Sequence, residues 1–92
     1  MTHIIKYKAE VSDWVRLPKL PCKQVIIRAR PINSSVAVVT YWDQKDVPDS
    51  YGFFTGTYPL WPGEAIKLVV RSLDELAIRC GTEDIIFIVY DD

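Results

Sequence analysis

Apolar residues recur at every second position along most of this chain, and that period decides what the chain can fold into. Side chains alternate between the two faces of a strand, whereas a helix needs a period near 3.6. In residues 3–11, Ile5, Tyr7, Ala9 and Val11 share one face, while Ile4, Lys6, Lys8 and Glu10 share the other. Residues 22–31 repeat the pattern, with Val25, Ile27 and Ala29 against Gln24, Ile26, Arg28 and Arg30. Residues 36–42 are rich in β-branched and aromatic side chains, which favour a pleated, half-buried surface. Ile66, Leu68 and Val70 form the inward set of 64–71, and Leu76, Ile78 and Cys80 that of the next strand. Residues 85–90 close the series, and 52–60 are expected to hold a short, bent strand.

Between these runs stand residues that stop strands. Asn33, Ser34 and Ser35 hydrogen-bond their own backbone readily, and Pro62-Gly63 fits the centre of a type II turn, where glycine supplies the positive φ. Residues 72–75 and 81–84 are further turns, and 43–51 read as a loop. Pro18 and Pro21 lack an amide donor, so the stretch around them is an edge segment or crossover, not an inner strand. The pattern is that of an all-β chain, a single small β-sandwich, jelly-roll-like or Ig-like, of about seven short antiparallel strands. Residues 62–76 offer a helical alternative through Ile66, Val69, Val70 and Leu73, but the β-branched Val69-Val70 pair favours strand.

With 92 residues the chain is expected to be one domain, 1–92, in which 1–13 form an N-terminal arm or a first strand. Its net charge of −1 gives no global field to attract nucleic acid, and Lys19, Lys23, Arg28 and Arg30 read as a solvated strand face. No run reaches the roughly 20 apolar residues that span a bilayer, and the start lacks the apolar core of a secretion signal. Synthesis in a cytoplasm is therefore expected. There, Cys22 and Cys80 are expected to be buried free thiols. With a single histidine and no paired cysteine motif, no zinc site is expected, and no cofactor.

Catalysis is not expected either. The lone imidazole, His3, lies at the start of the chain, and the carboxylate pairs Asp74-Glu75 and Glu83-Asp84 fall in turns. The glycines are scattered, so no phosphate-cradling loop exists.

Two features point to contact chemistry instead. The closing run Ile85-Ile86-Phe87-Ile88-Val89-Tyr90 is apolar on both faces, although a sandwich strand needs only one buried face. Its second face must be covered by a loop, by the aromatic segment or by another subunit, because an uncovered strand of this kind invites aggregation. The second feature is the aromatic cluster Trp42, Tyr51, Phe53, Phe54, Tyr58 and Trp61. Large rings dominate contact energy at interfaces, but they also plug sandwich ends. With Asp43, Asp46 and Asp49 nearby, the cluster also suits sugar stacking. The same three aspartates lack the glycine and closing glutamate of a calcium loop. Ile4, Lys6, Trp42, Tyr51, Phe53, Phe54, Tyr58, Trp61, Ile86, Ile88 and Tyr90 are the candidate partner contacts.

The order Leu17-Pro18, Cys22, Val25-Ile26-Ile27-Arg28-Ala29, Pro31 and Asn33, then Tyr58-Pro59-Leu60-Trp61-Pro62-Gly63-Glu64, Leu68-Val69-Val70, Leu73, Leu76-Ala77-Ile78, Gly81, Asp84 and Ile86 to Tyr90 resembles the small β-sandwich structural proteins of tailed bacteriophage virions. The likeness covers residues 17–90, and 35–57 are longer and more aromatic than that pattern. It implies a protein that decorates and cements the capsid, made in the host bacterial cytoplasm and located in the virion. Its partners would be the major capsid protein or other virion proteins, and it would form a homo-oligomer, a trimer by preference. The resemblance also admits a tail or head-fibre component. A carbohydrate or host-surface binding module using residues 42–61 is the other alternative. Residues 2–11 would serve as an arm that pairs with a neighbouring capsid subunit, or as the first strand.

Overall fold

The structure, a computed structural model, describes residues 1–44 and 58–92. Eight strands are present among them: β1 (Thr2–Lys8), β2 (Val15–Arg16), β3 (Gln24–Ala29), β4 (Ala37–Tyr41), β5 (Tyr58–Leu60), β6 (Ala65–Leu68), β7 (Leu76–Arg79) and β8 (Ile85–Asp91). They form two four-stranded antiparallel sheets, ordered β1-β8-β3-β6 and β2-β7-β4-β5. The protein is a β-sandwich. The helical segments among the described residues are two single-turn 3-10 segments, Trp42–Gln44 and Leu73–Glu75, so the helical alternative for 62–76 falls away.

The pairing is nested. β1 pairs with β8, β2 with β7, β3 with β6 and β4 with β5. The chain is a long hairpin folded on itself, and the further pairs β3–β8 and β4–β7 roll that hairpin into two layers. This is the jelly-roll order. Nesting continues through the crossovers between sheets. Leu17 N–H donates to the Leu76 carbonyl (3.1 Å), Leu73 N–H to Leu20 (2.9 Å) and Cys22 N–H to Arg71 (3.0 Å). These bonds zip the proline-bearing 17–22 crossover against 71–76 although neither is a long strand. Glu75 tightens the second crossover by accepting from the Arg71 and Ser72 amides at 2.6 and 2.9 Å.

Local chemistry explains the boundaries. The Trp61-Pro62-Gly63-Glu64 turn is type II, with Gly63 at φ 90° and Glu64 N–H bonded to the Trp61 carbonyl at 2.9 Å. Pro59 sits in β5, an edge strand, where a missing amide breaks no inner ladder. The eighth strand, one more than the alternation suggested, is the two-residue β2, which also lies at an edge. β1 ends at Lys8, so Val11 does not continue its inward face and is 52 % exposed.

The core lies between the sheets. Val25, Ile27, Val39, Leu73, Leu76, Ile78, Ile86 and Ile88 are fully buried there. Each such side chain contributes about 1.5–3 kcal/mol by leaving water. Cys22 and Cys80 are free thiols, both buried, and burial pushes both pKa values up. A thiol held protonated in this way is a poor nucleophile.

Candidate interaction surface

The outward side of the β1-β8-β3-β6 sheet carries the most distinctive surface among the described residues. Register places its side chains in rows. Ile4 stands beside Val89, Val89 beside Ile26, and Ile26 beside Lys67. The next row runs Lys6, Phe87, Arg28, Ala65. On the other flank lies Thr2, Asp91, Gln24. An apolar row thus crosses three adjacent strands, and Phe87 extends it into a neighbouring row that also carries Lys6 and Arg28. Ile4 is 70 % exposed and Ile26 38 %, while Phe87 and Val89 are half-buried by their sheet position. Lys6 and Arg28 flank the row on one side and Lys67 ends it, and all three are exposed.

The corner beyond the row is fixed by hydrogen bonds. Asp91 accepts from the Thr2 hydroxyl at 2.6 Å and from the Gln24 amide at 3.1 Å, so one carboxylate ties β1, β8 and β3 together. Those bonds hold its carboxyl below the usual aspartate range. His3 stacks on Tyr90, with ring centroids 4.9 Å apart, and its Nε2 lies 3.0 Å from Asp92.

The opposite end of β8 is set by a buried lock. Asp84, 3 % exposed, accepts hydrogen bonds from the amides and hydroxyls of both Ser34 and Ser35, at 2.8–3.2 Å. Burial pushes its pKa up, but these donors outweigh burial and hold the carboxyl below its ordinary value. Beside it, the Asn33 side chain donates to the Ile85 carbonyl and accepts from the Ile85 amide, both at 2.9 Å. An amide side chain there imitates a paired strand at the point where β8 begins.

The structure separates the expected contact residues. Ile4 and Lys6 are exposed on the sheet face. Ile86 and Ile88 are not contacts: they are 0 % and 1 % exposed in the core, because β8 is an inner strand and directs Phe87 and Val89 outward instead. Tyr90 and Tyr58 are half-buried against the core. Trp61 is 60 % exposed beside the type II turn. Trp42 is half-buried, with the Arg16 guanidinium 5.1 Å from its ring centroid, at an open depression shared with Tyr41, Asp43, Gln44 and Glu75. Tyr51, Phe53 and Phe54 lie outside the described residues, as do Asp46 and Asp49. Of the aromatic residues that are described, Tyr58 packs against the core and Trp61 sits at a turn.

Ile26, Phe87 and Val89 share the outward face with Ile4 and Lys6, although they are not among the residues expected from the sequence. The signal for Ile26 was present, since it is apolar on the polar face of its strand, as Ile4 is on its own. Among the described residues, no group of three or more His, Cys, Asp or Glu could hold a metal ion. No family model matches the chain, and no match to it was found among curated proteins or solved structures.

Proposed function

We propose that the chain is a structural protein of a bacteriophage virion that decorates the capsid, binding it through the outward face of the β1-β8-β3-β6 sheet. The observation that carries this reading is the Ile4–Val89–Ile26 row, a contiguous apolar strip on the outward sheet face, extended by Phe87 in the next row and bordered by the charged Lys6, Arg28 and Lys67. An apolar strip with a polar rim is the anatomy of a protein–protein contact. The jelly roll supports the reading by analogy, since capsid proteins use it widely, although lectin domains do too. A small rigid sandwich repeated over a lattice gains its hold by summing many weak contacts.

Quantitative mass spectrometry of purified particles tests the proposal. A copy number in fixed ratio to the capsid lattice is expected, together with loss of head stability when the protein is stripped. Absence from particles, or stripped heads as resistant to heat and low salt as before, removes it. Exposed Trp61 favours a second reading, glycan binding. Binding on a glycan array that disappears with Trp61→Ala, without binding to shells, would select that reading instead.

A further inference from the structure

β1 is the edge strand of its sheet, and among the described residues no strand pairs with its other side. Which of its backbone groups are left over follows from the ladder. Ala9 N–H donates to the Asp84 carbonyl at 2.9 Å and Asp92 N–H to the Met1 carbonyl at 3.4 Å. Hydrogen-bonded pairs alternate along antiparallel strands. His3, Ile5 and Tyr7 therefore aim their backbone groups at β8. Thr2, Ile4, Lys6 and Lys8 aim theirs at the open edge, and their side chains occupy the outward face. Lys8 is already paired with Glu83 at 2.9 Å, whereas Lys6 has no carboxylate opposite it, only Phe87.

We propose that this edge accepts an extended, acidic segment of a partner protein, which adds antiparallel to β1 as a further strand. A carboxylate of the segment stands beside Lys6 and an apolar residue beside Ile4. Because the strands run antiparallel, the acidic residue precedes the apolar one in the partner's sequence. The charge on the edge selects this occupant over a second copy of the chain. The outward set Thr2, Ile4, Lys6, Lys8 contains no acid, so any β1–β1 pairing gathers four ammonium groups on one face without a carboxylate from either strand. Like charges side by side on a sheet are destabilising, and edge lysines block self-pairing. The same lysines favour a strand that carries acids, which is discrimination by charge. The inference rests on the edge alone and holds whether or not the protein belongs to a virion.

Synthetic end-capped peptides test it: one in which glutamates precede and alternate with valines, and one with lysine in place of each glutamate. With the isolated protein, the acidic peptide is expected to slow exchange of the Ile4 and Lys6 amides and to bind about tenfold tighter than the basic one. Lys6→Glu should reverse that preference. Ile4→Pro should abolish binding while the fold survives, because the Ile4 amide points away from β8 and a proline is tolerated at such an edge position. Should Ile4→Pro unfold the chain, Lys6→Glu still decides the matter. Equal binding of both peptides, or no protection by either, overturns the proposal. Protection of Ile4 and Lys6 that rises with the protein's own concentration assigns the edge to a second copy and also overturns it.

Discussion

Asp84 is the residue on which two distant turns converge. Its two carboxylate oxygens receive four donors from Ser34 and Ser35, about as many as a carboxylate can accept in plane. Asparagine keeps the shape but replaces one acceptor with a donor that faces the donors of Ser34 or Ser35. Asp84→Asn is therefore expected to lower stability by about 2–3 kcal/mol, read from urea melts at neutral pH. The pH dependence has a defined sign. The folded pKa lies below the unfolded one, so the contribution is fully present above the unfolded aspartate value near 3.9 and disappears as pH falls through the folded value. The variant should lose the part of the acid transition that this carboxyl supplies, and an unchanged acid limb would refute the assignment. Gly81 borders the same lock. A Cβ there would stand 2.4 Å from the Ser35 hydroxyl oxygen and 3.1 Å from an Asp84 oxygen. That hydroxyl cannot swing aside without leaving Asp84, so Gly81→Ala should cost about 1–3 kcal/mol. A neutral result in the same melts would mean the turn relaxes freely.

At the scale of the element, β8 shows what alternation can and cannot tell. The period placed Ile86 with Ile88 and Phe87 with Val89, but both sets are apolar, so the pattern does not say which faces the core. Neighbouring strands decide. β1 and β3 each have one polar face, and their inward residues Ile5 and Ile27 register with Ile88. Turn chemistry was more readable, because Pro62-Gly63 carries its backbone geometry locally. The Asp84–Ser34 bond was not readable, since its partners are 50 positions apart and each looks like an ordinary turn residue alone. The two faces of β8 should part company under mutation. Ile88→Ala empties a fully buried site and is expected to cost about 2–5 kcal/mol. Val89→Ser trims a half-buried outward side chain; it should cost about 1 kcal/mol or less yet weaken attachment to shells. Thermal melts and a shell-pelleting assay separate the two effects, and a Val89→Ser protein that pellets like the parent would place the contact elsewhere.

For the whole molecule, nesting makes the first strand depend on the last. The sequence showed strands and turns but not this order, because every pair except β4–β5 joins segments far apart in the chain and no local pattern encodes which distant partner wins. The order also changes what residues 2–11 can be. A free arm would contribute nothing to the stability of the domain that carries it. β1 instead registers with β8 from Thr2 to Lys8, sends Ile5 and Tyr7 against the core, and leads into the fully buried Ala9. Removing residues 1–9 withdraws those side chains and turns β8, an inner strand rich in isoleucine, into an edge. For a domain of this size the total margin is about 5–14 kcal/mol. Loss of two part-buried side chains, one buried alanine and a full ladder should remove about 3–5 kcal/mol of it. At about 4–8 °C per kcal/mol the shortened chain should melt at least 12 °C lower, and it should self-associate through the uncovered β8. Calorimetry paired with sedimentation velocity measures both effects. A monomer that melts within a few degrees of the full chain would show that β1 is held only loosely and acts as an arm after all.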